Sequence, residues 1–330
     1  MKGYFSQAPV VFGTVALSLA AWLAYKAGNR PGLSRYADLM FAPADHSGLR
    51  VTFFGVSTLL FDDGETAILT DGFFTRPDGR TILMGKVAPD RERIAESLER
   101  AGIRSLAAVI VTHSHYDHAM DSPEVAIRTG ALVVGSESTA NVARGWGLAA
   151  DRIRIVCDGD TVKFGRFQIT FVRSSHSPTF MTRGEIREPL VPPVRASRYK
   201  EGGSFSVLIR HDERTMLVQS SAGYVEGALR DCRADIVFLG VGALGKRDEG
   251  FRQAYWCELV TAVGARRVIP IHWDDFTLPL AQPLKPLPRL FDHFGETMAF
   301  VIERGRRDGV DVKLAPAWVK IDPFAGLGSS

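Results

Sequence analysis

Cysteine is scarce in this chain, with three in 330 residues, and Cys157, Cys232 and Cys257 form no CxxC pair. That excludes a recognisable disulfide framework and a zinc ribbon, and small core residues are the expected role for all three. An excess of either charge is missing as well, since 40 Lys and Arg face 37 Asp and Glu. The net charge of +3 gives no general attraction to nucleic acid, and none is expected as a partner. There is no fixed-period repeat and no low-complexity tract, which excludes solenoids and fibrous chains. Long hydrophobic runs are absent with one exception, and a mean hydropathy of +0.01 excludes a polytopic membrane protein. Histidine is also modest, at eight residues, but its placement is not random.

The one apolar run is Ala8 to Tyr25 (APVVFGTVALSLAAWLAY), which carries no charge. As a helix it would extend about 27 Å, enough for a bilayer core. No A-x-A cleavage site follows, so the expectation is an uncleaved single anchor and a membrane-associated protein, with a cleaved secretory signal as the alternative. Lys2 ahead of the run and Lys26, Arg30 and Arg35 behind it are too evenly split to fix its orientation. Gly28, Pro31, Gly32, Pro43 and Gly48 then read as a tether. Residues 1–48 are thus expected to be anchor and tether, and residues 49–330 one folded domain.

From Leu49 onward short strands dominate. Arg50 to Phe54, Thr58 to Phe61 and Thr66 to Thr70 are rich in β-branched and aromatic residues, with Asp62-Asp63-Gly64 as a turn. Asp90 to Ala101 has helical spacing and Gly102 as its C-cap. Further strands are predicted at Leu106–Val111, Ala131–Val134, Val162–Phe164, Phe167–Val172, Phe205–Arg210, Thr215–Gln219, Asp235–Leu239 and Val268–Ile271, with helices over Glu137–Gly145 and Phe251–Val263. Hairpins mixed with βα units in both halves predict an α/β fold of two packed sheets with helices outside, an αββα sandwich.

Repeatedly a predicted strand runs into a histidine. The strand at 106–111 leads to Thr112-His113-Ser114-His115-Tyr116-Asp117-His118, which places three imidazoles and a carboxylate within six residues. A loop there can turn side chains inward from several directions, and this donor set suits Zn²⁺, with Fe or Mn also compatible. His176 and His272 each follow a predicted strand.

The motif resembles the H-x-H-x-D-H signature of the metallo-β-lactamase-fold hydrolases, and the resemblance runs from about Leu49 to Trp318. Gly55 to Asp71 (GVSTLLFDDGETAILTD) is similar to the opening hairpin of that family. It is most similar in the branch containing the ascorbate-6-phosphate lactonase and the N-acylphosphatidylethanolamine phospholipase D. The resemblance implies a first metal site at His113, His115 and His176, and a second at Asp117, His118 and His272. It makes Asp71 a buttress of the metal loop and places Asp71, Asp117 and His118 in the catalytic machinery. His46, His211 and His293 match nothing in the family, and surface or capping roles are expected for them.

One position departs from the family. Where a metal-bridging Asp is usual, the run Gln219-Ser220-Ser221-Ala222-Gly223-Tyr224 puts Ser221. A neutral hydroxyl is a poorer ligand than a carboxylate, so one tight metal and a weaker second site are expected. Asp274 and Asp275 are nearby carboxylates that could compensate.

The chemistry so implied is metal-dependent hydrolysis of an ester, lactone or phosphodiester, with a small-molecule or lipid-like substrate. Ser177 to Gly203, with Arg183, Arg187, Arg195, Arg198 and Lys200, reads as a lid or binding loop. The alternative is a metal-binding protein of the same fold with little or no turnover, because of Ser221. A di-iron redox enzyme would need a flavin or rubredoxin module for which no sequence is left, and a nuclease would need an RNA-binding insertion that is not found.

Overall fold

The computed structural model describes residues 28–44, 48–178 and 183–328. The apolar run at residues 8–25 and His46 lie outside the described residues. Among the described residues no helix is long and apolar enough to cross a membrane. Residues 28–44 do not behave as a free tether. Leu33–Leu39 forms a 3-10 helix whose Tyr36 is buried edge-on against Phe294, and Arg30 is paired with Asp275 at 2.6 Å. The apolar side chains between the glycines and prolines explain the difference, since Tyr36 has a core to enter.

Two seven-stranded sheets make the centre. In the first, β1 (Arg50–Phe53), β2 (Leu59–Asp62) and β3 (Ala67–Thr70) form an antiparallel meander. Then β4 (Ala108–Ile110), β5 (Leu132–Gly135) and β6 (Ile153–Ile155) run parallel to β3. In the second, β7 (Thr161–Phe164), β8 (Phe167–Ser174), β9 (Ser204–His211) and β10 (Arg214–Gln219) are antiparallel. Next, β11 (Ile236–Gly240), β12 (Arg267–Ile271) and β13 (Asp311–Val312) run parallel to β10. The short β14 (Lys320–Ile321) pairs with β1.

Strand sequence dictates which face is buried. In β8, Phe167, Ile169 and Phe171 alternate inward, whereas β4 and β12 are buried on both faces, as parallel strands under helices must be. The sheets meet through residues such as Phe61 and Phe238, whose rings pack edge-to-face at 5.7 Å. Outside the first sheet, Ile94, Leu98, Val125 and Val142 of three helices cover Leu69, Val109 and Val133. Tyr255, Trp256, Met298 and Val301 belong to the core around the second sheet. The helix Arg91–Ala101 starts where Asp90 accepts the Glu92 and Arg93 amides and stops at left-handed Gly102. The helix expected over 251–263 occupies Glu249–Trp256 and continues as a π-helical turn, Cys257–Thr261.

Two expectations are corrected here. Cys157 and Cys257 are exposed and Cys232 half-buried: Cys157 sits in the turn before β7 and Cys257 on the outer side of the π-turn. His211 is neither a surface nor a capping residue. It is buried, and its Nε2 lies 2.9 Å from Asp63 Oδ2.

That contact pins the two sheets at one end, because Asp63 follows β2 and His211 ends β9. Arg166, in the turn between β7 and β8, adds a 3.3 Å contact to the same oxygen. Burial pushes the Asp63 carboxyl up, but the Thr66 amide, the His211 ring, the Glu65 amide and Arg166 outweigh it and lower it to about 2. A folded value below the unfolded 3.8 means that this stabilisation is complete above pH about 4 and is lost as pH falls towards about 2. Asp63→Asn is therefore expected to lower Tm at pH 7 by roughly 5 °C. In thermal melts across pH, the gap to the unsubstituted protein should close between pH about 4 and 2; a gap constant over that window would refute the assignment.

Candidate metal centre

The strand directions put the chemistry at one edge. Because β8 and β10 are both antiparallel to β9, they end on the same side, as do β11 and β12. The parallel β3 and β4 do the same in the first sheet. Asp71, Thr112 and His113, His176, Ser221 and His272 all follow directly on these ends. The edges are joined by Phe205 N–H donating to Thr112 O at 2.9 Å, by His272 N–H donating to Val56 O at 2.7 Å, and by a 2.7 Å hydrogen bond between the Thr112 and Ser220 hydroxyls.

Two donor clusters result. His113, His115 and His176 form one, and Asp117, His118 and His272 the other, with all the donor atoms within 4.8 Å of one another in each. The rings of His113 and His118 approach to 3.8 Å between centroids, so the clusters adjoin. Asp117 and His118 lie on the single helical turn Tyr116–Ala119, and Asp117 Oδ2 sits 3.5 Å from His118 Nε2 and 3.4 Å from His272 Nε2.

Second partners fix how these rings face. Asp71 is fully buried, and its Oδ2 lies 2.8 Å from His118 Nδ1. Ser57 Oγ donates to the same oxygen, and Thr112 N–H donates to Oδ1 at 2.8 Å. A carboxylate surrounded by donors accepts a hydrogen bond from His118 Nδ1–H and so turns Nε2 towards Asp117. His176 Nδ1 is 2.8 Å from Ser177 O, which likewise frees its Nε2. The Nε2 atoms of His113 and His118 are buried without a hydrogen-bond partner. Unpaired buried lone pairs are costly, and a cation would satisfy them. The residues present therefore fit one or two divalent ions.

Electrostatics separate the two clusters, favouring an ion in the first and a competing proton in the second. Burial, with His118, His115 and His176 alongside, holds His113 well below its ordinary value, so its ring is neutral. Burial also lowers His176. For Asp117, burial acts upward, but His118 and His272 outweigh it and hold the carboxyl well below the usual range. For His118, burial acts downward and is overcome by Asp117 and Asp71, which push the ring up to about 9.

Ser221 is buried beside the first cluster, and its Oγ accepts the Ser177 N–H at 3.0 Å. The hydroxyl thus fastens the turn carrying His176. Gly223 is needed because a Cβ there would collide with the carbonyl oxygens of Ser175 and His176. Asp274 and Asp275 do not compensate for Ser221. Both oxygens of Asp274 are taken, by Arg76 at 2.6 Å and by the Val56 amide at 2.7 Å. Asp275 is held by Thr277 and Arg30.

Of the segment expected to be a lid or binding loop, residues 179–182 lie outside the described residues, and much of 183–203 is built into the wall. Ile186, Leu190, Ala196 and Tyr199 are buried. Ile186 N–H donates to Ser138 Oγ at 2.9 Å, Leu190 N–H to Asn141 O at 3.0 Å, and Val87 and Val194 exchange backbone hydrogen bonds. Arg195 and Arg198 remain exposed. Residues missed by sequence reading include Ser57, Thr112 and Ser220, and also Glu201, whose carboxylate accepts the His176 amide at 3.3 Å and whose carbonyl accepts the Ser114 amide at 2.8 Å. Only Thr112 and Ser220 carried a signal, as neighbours of motif residues.

A family model described as "Beta-lactamase superfamily domain" matches residues 66–273. A "UPF0173 metal-dependent hydrolase" of Chloroflexus aurantiacus is 27% identical over 63% of this chain and 81% of its own. Some other curated relatives are covered over only about half their length, 54% and 44% in two cases, and others over 80% or more. The chain is similar in fold to Igni18, "a novel metallo hydrolase" of Ignicoccus hospitalis, with a TM-score of 0.53, 15% identity, and coverage of 83% of this chain and 97% of that one. It is also similar in fold to CmlA, "a diiron beta-hydroxylase" of Streptomyces venezuelae, with a TM-score of 0.50, 12% identity, and coverage of 83% and 54%.

Asp71→Asn is expected to preserve the fold but to present an amide N–H to His118 Nδ1, selecting the wrong tautomer. Competition with a chromophoric chelator should then show Zn²⁺ affinity at the Asp117 cluster reduced by about 10–100-fold, with the three-histidine cluster unaffected. Unchanged affinity at both would refute the role of Asp71.

Proposed function

The chain belongs to the beta-lactamase superfamily, and on that premise we propose that it is a metal-dependent hydrolase acting on an ester, lactone or phosphodiester. The observation that carries this reading is the pair of adjoining donor clusters with buried, unpartnered imidazole nitrogens. The names of its relatives support the hydrolase class. His113, His115 and His176 would hold the tighter ion, and Asp117, His118 and His272 a weaker one, because Ser221 supplies no charge between them. A divalent ion there supplies Lewis acidity and makes water a nucleophile at neutral pH. Zn²⁺ suits the donor set, and Fe or Mn also fits.

The chain's own groups do the rest. Asp117, held ionised between His118 and His272, orients the attacking water by accepting a hydrogen bond from it. Asp71 touches no substrate, and acts by holding the proton on His118 Nδ1. The similarity of Gly55 to Asp71 to the lactonase and phospholipase D-like branch, together with the charge-free run at residues 8–25, supports a lipid-like substrate and a membrane-held catalytic domain.

A second reading, metal binding without turnover, is favoured by the engagement of Ser221 Oγ with Ser177. Metal analysis of the purified protein beside a panel of esters, lactones and phosphodiesters separates the two. Hydrolysis that His115→Ala reduces to background, with one tightly held ion per chain, is expected; stoichiometric metal with no hydrolysis of any class would favour the second reading. The exposed Arg195 and Arg198 are expected to read substrate charge. Their replacement by Ala should raise KM for anionic esters by about two- to fivefold and leave neutral ones unchanged; equal effects on both classes would count against it.

A further inference from the structure

We infer that the buried Arg76–Asp274 ion pair is a positioning device that aims His272 at Asp117 and so sets the metal affinity of the second cluster. This rests on the metal-centre reading above. His272 has a left-handed backbone, φ 56°, as do Val56 at 51° and Arg76 at 48°. Such angles are disfavoured for residues with a Cβ and persist only where neighbours enforce them. Here one carboxylate connects all three. His272 N–H donates to Val56 O at 2.7 Å, and Val56 N–H donates to Asp274 Oδ1 at 2.7 Å. Arg76 Nη1 donates to Asp274 Oδ2 at 2.6 Å, and Arg76 Nη2 to Phe54 O at 3.1 Å. Asp274 stands two residues beyond His272, so the loop bearing the imidazole is held from both its own amide and its neighbour's carboxylate.

Both partners of the pair are fully buried. Gly55, at φ 98°, is required because a Cβ would strike the Arg76 guanidinium and come within 2.7 Å of Asp274 Oδ2. Apolar residues of similar volume often stabilise a fold as well as a buried ion pair does. What they cannot supply is a directed acceptor for the Val56 amide and a donor for Phe54 O, which together hold the turn opposite His272. Asp274 thus acts on the second cluster without ligating it.

The test is Co²⁺ titration of the full chain, followed by visible absorption and equilibrium dialysis, with His272→Ala marking the second-cluster signal. Arg76→Met combined with Asp274→Leu removes both charges, and circular dichroism shows whether the protein is folded. This variant is expected to bind the second Co²⁺ about 10–100-fold more weakly with the first unchanged, and Arg76→Lys with Asp274 intact, which keeps the charge pair, should lose less. If the double variant does not fold, Asp274→Asn, which keeps an acceptor for Val56, should show a smaller loss confined to the second ion. A folded variant that binds the second ion like the unsubstituted protein, or that loses both ions equally, overturns the inference alone. An unsubstituted protein that takes up no Co²⁺ overturns the metal-centre reading and the inference with it.

Discussion

The Asp71 carboxylate is the contact on which the rest of the site depends. It is fully buried, so its lone pairs must find protein donors. Those donors come from different places: Ser57 in the first hairpin, the backbone and hydroxyl of Thr112 after β4, and His118 on the helical turn. Satisfying one buried anion therefore fixes three segments together. Thr112 passes the constraint to the second sheet through Ser220. Even the positive φ of Asp71, 57°, follows, because the chain must turn sharply out of β3 to place the carboxylate beneath the ring.

The two donor clusters are not equivalent, although they share a wall. The first consists of three imidazoles, and burial keeps protons off His113 and His176. The second contains a carboxylate, and a second carboxylate stands behind it, so its His118 favours a proton. A divalent ion meets little competition in the first and must displace charge in the second. Ser221, spent on the Ser177 amide, does nothing to redress the difference.

Much of this was legible in the sequence because its signals are local. The spacing of His113, His115, Asp117 and His118 needs no tertiary knowledge, and the apolar runs before it, before His176 and before His272 marked strand ends. The helical spacing of Ile94, Leu98 and Ala101, with Gly102 as C-cap, marked a helix from residues close in the chain. What escaped was set by partners distant in the chain. Nothing near His211 announces Asp63, and nothing near Asp274 announces Arg76, 198 residues away. The packing of the segment expected to be a lid or binding loop was hidden for the same reason, since Ile186 and Leu190 are tied by hydrogen bonds to Ser138 and Asn141 of the helix Glu137–Trp146. Ser57 and Glu201 are ordinary polar residues until the fold brings histidines to them.

The donors of each cluster also come from both sheets: His113 and His115 with His176 in one, Asp117 and His118 with His272 in the other. No fragment containing a single sheet can bring either set together, so the centre is completed only when the long-range packing of the two sheets is complete. Any opening that separates the sheets dissolves both clusters at once, and an ion bound only by the closed form stabilises that form by mass action. Ion retention would then report the integrity of the whole sandwich, with the metal acting as a rivet between its halves as well as an agent of chemistry.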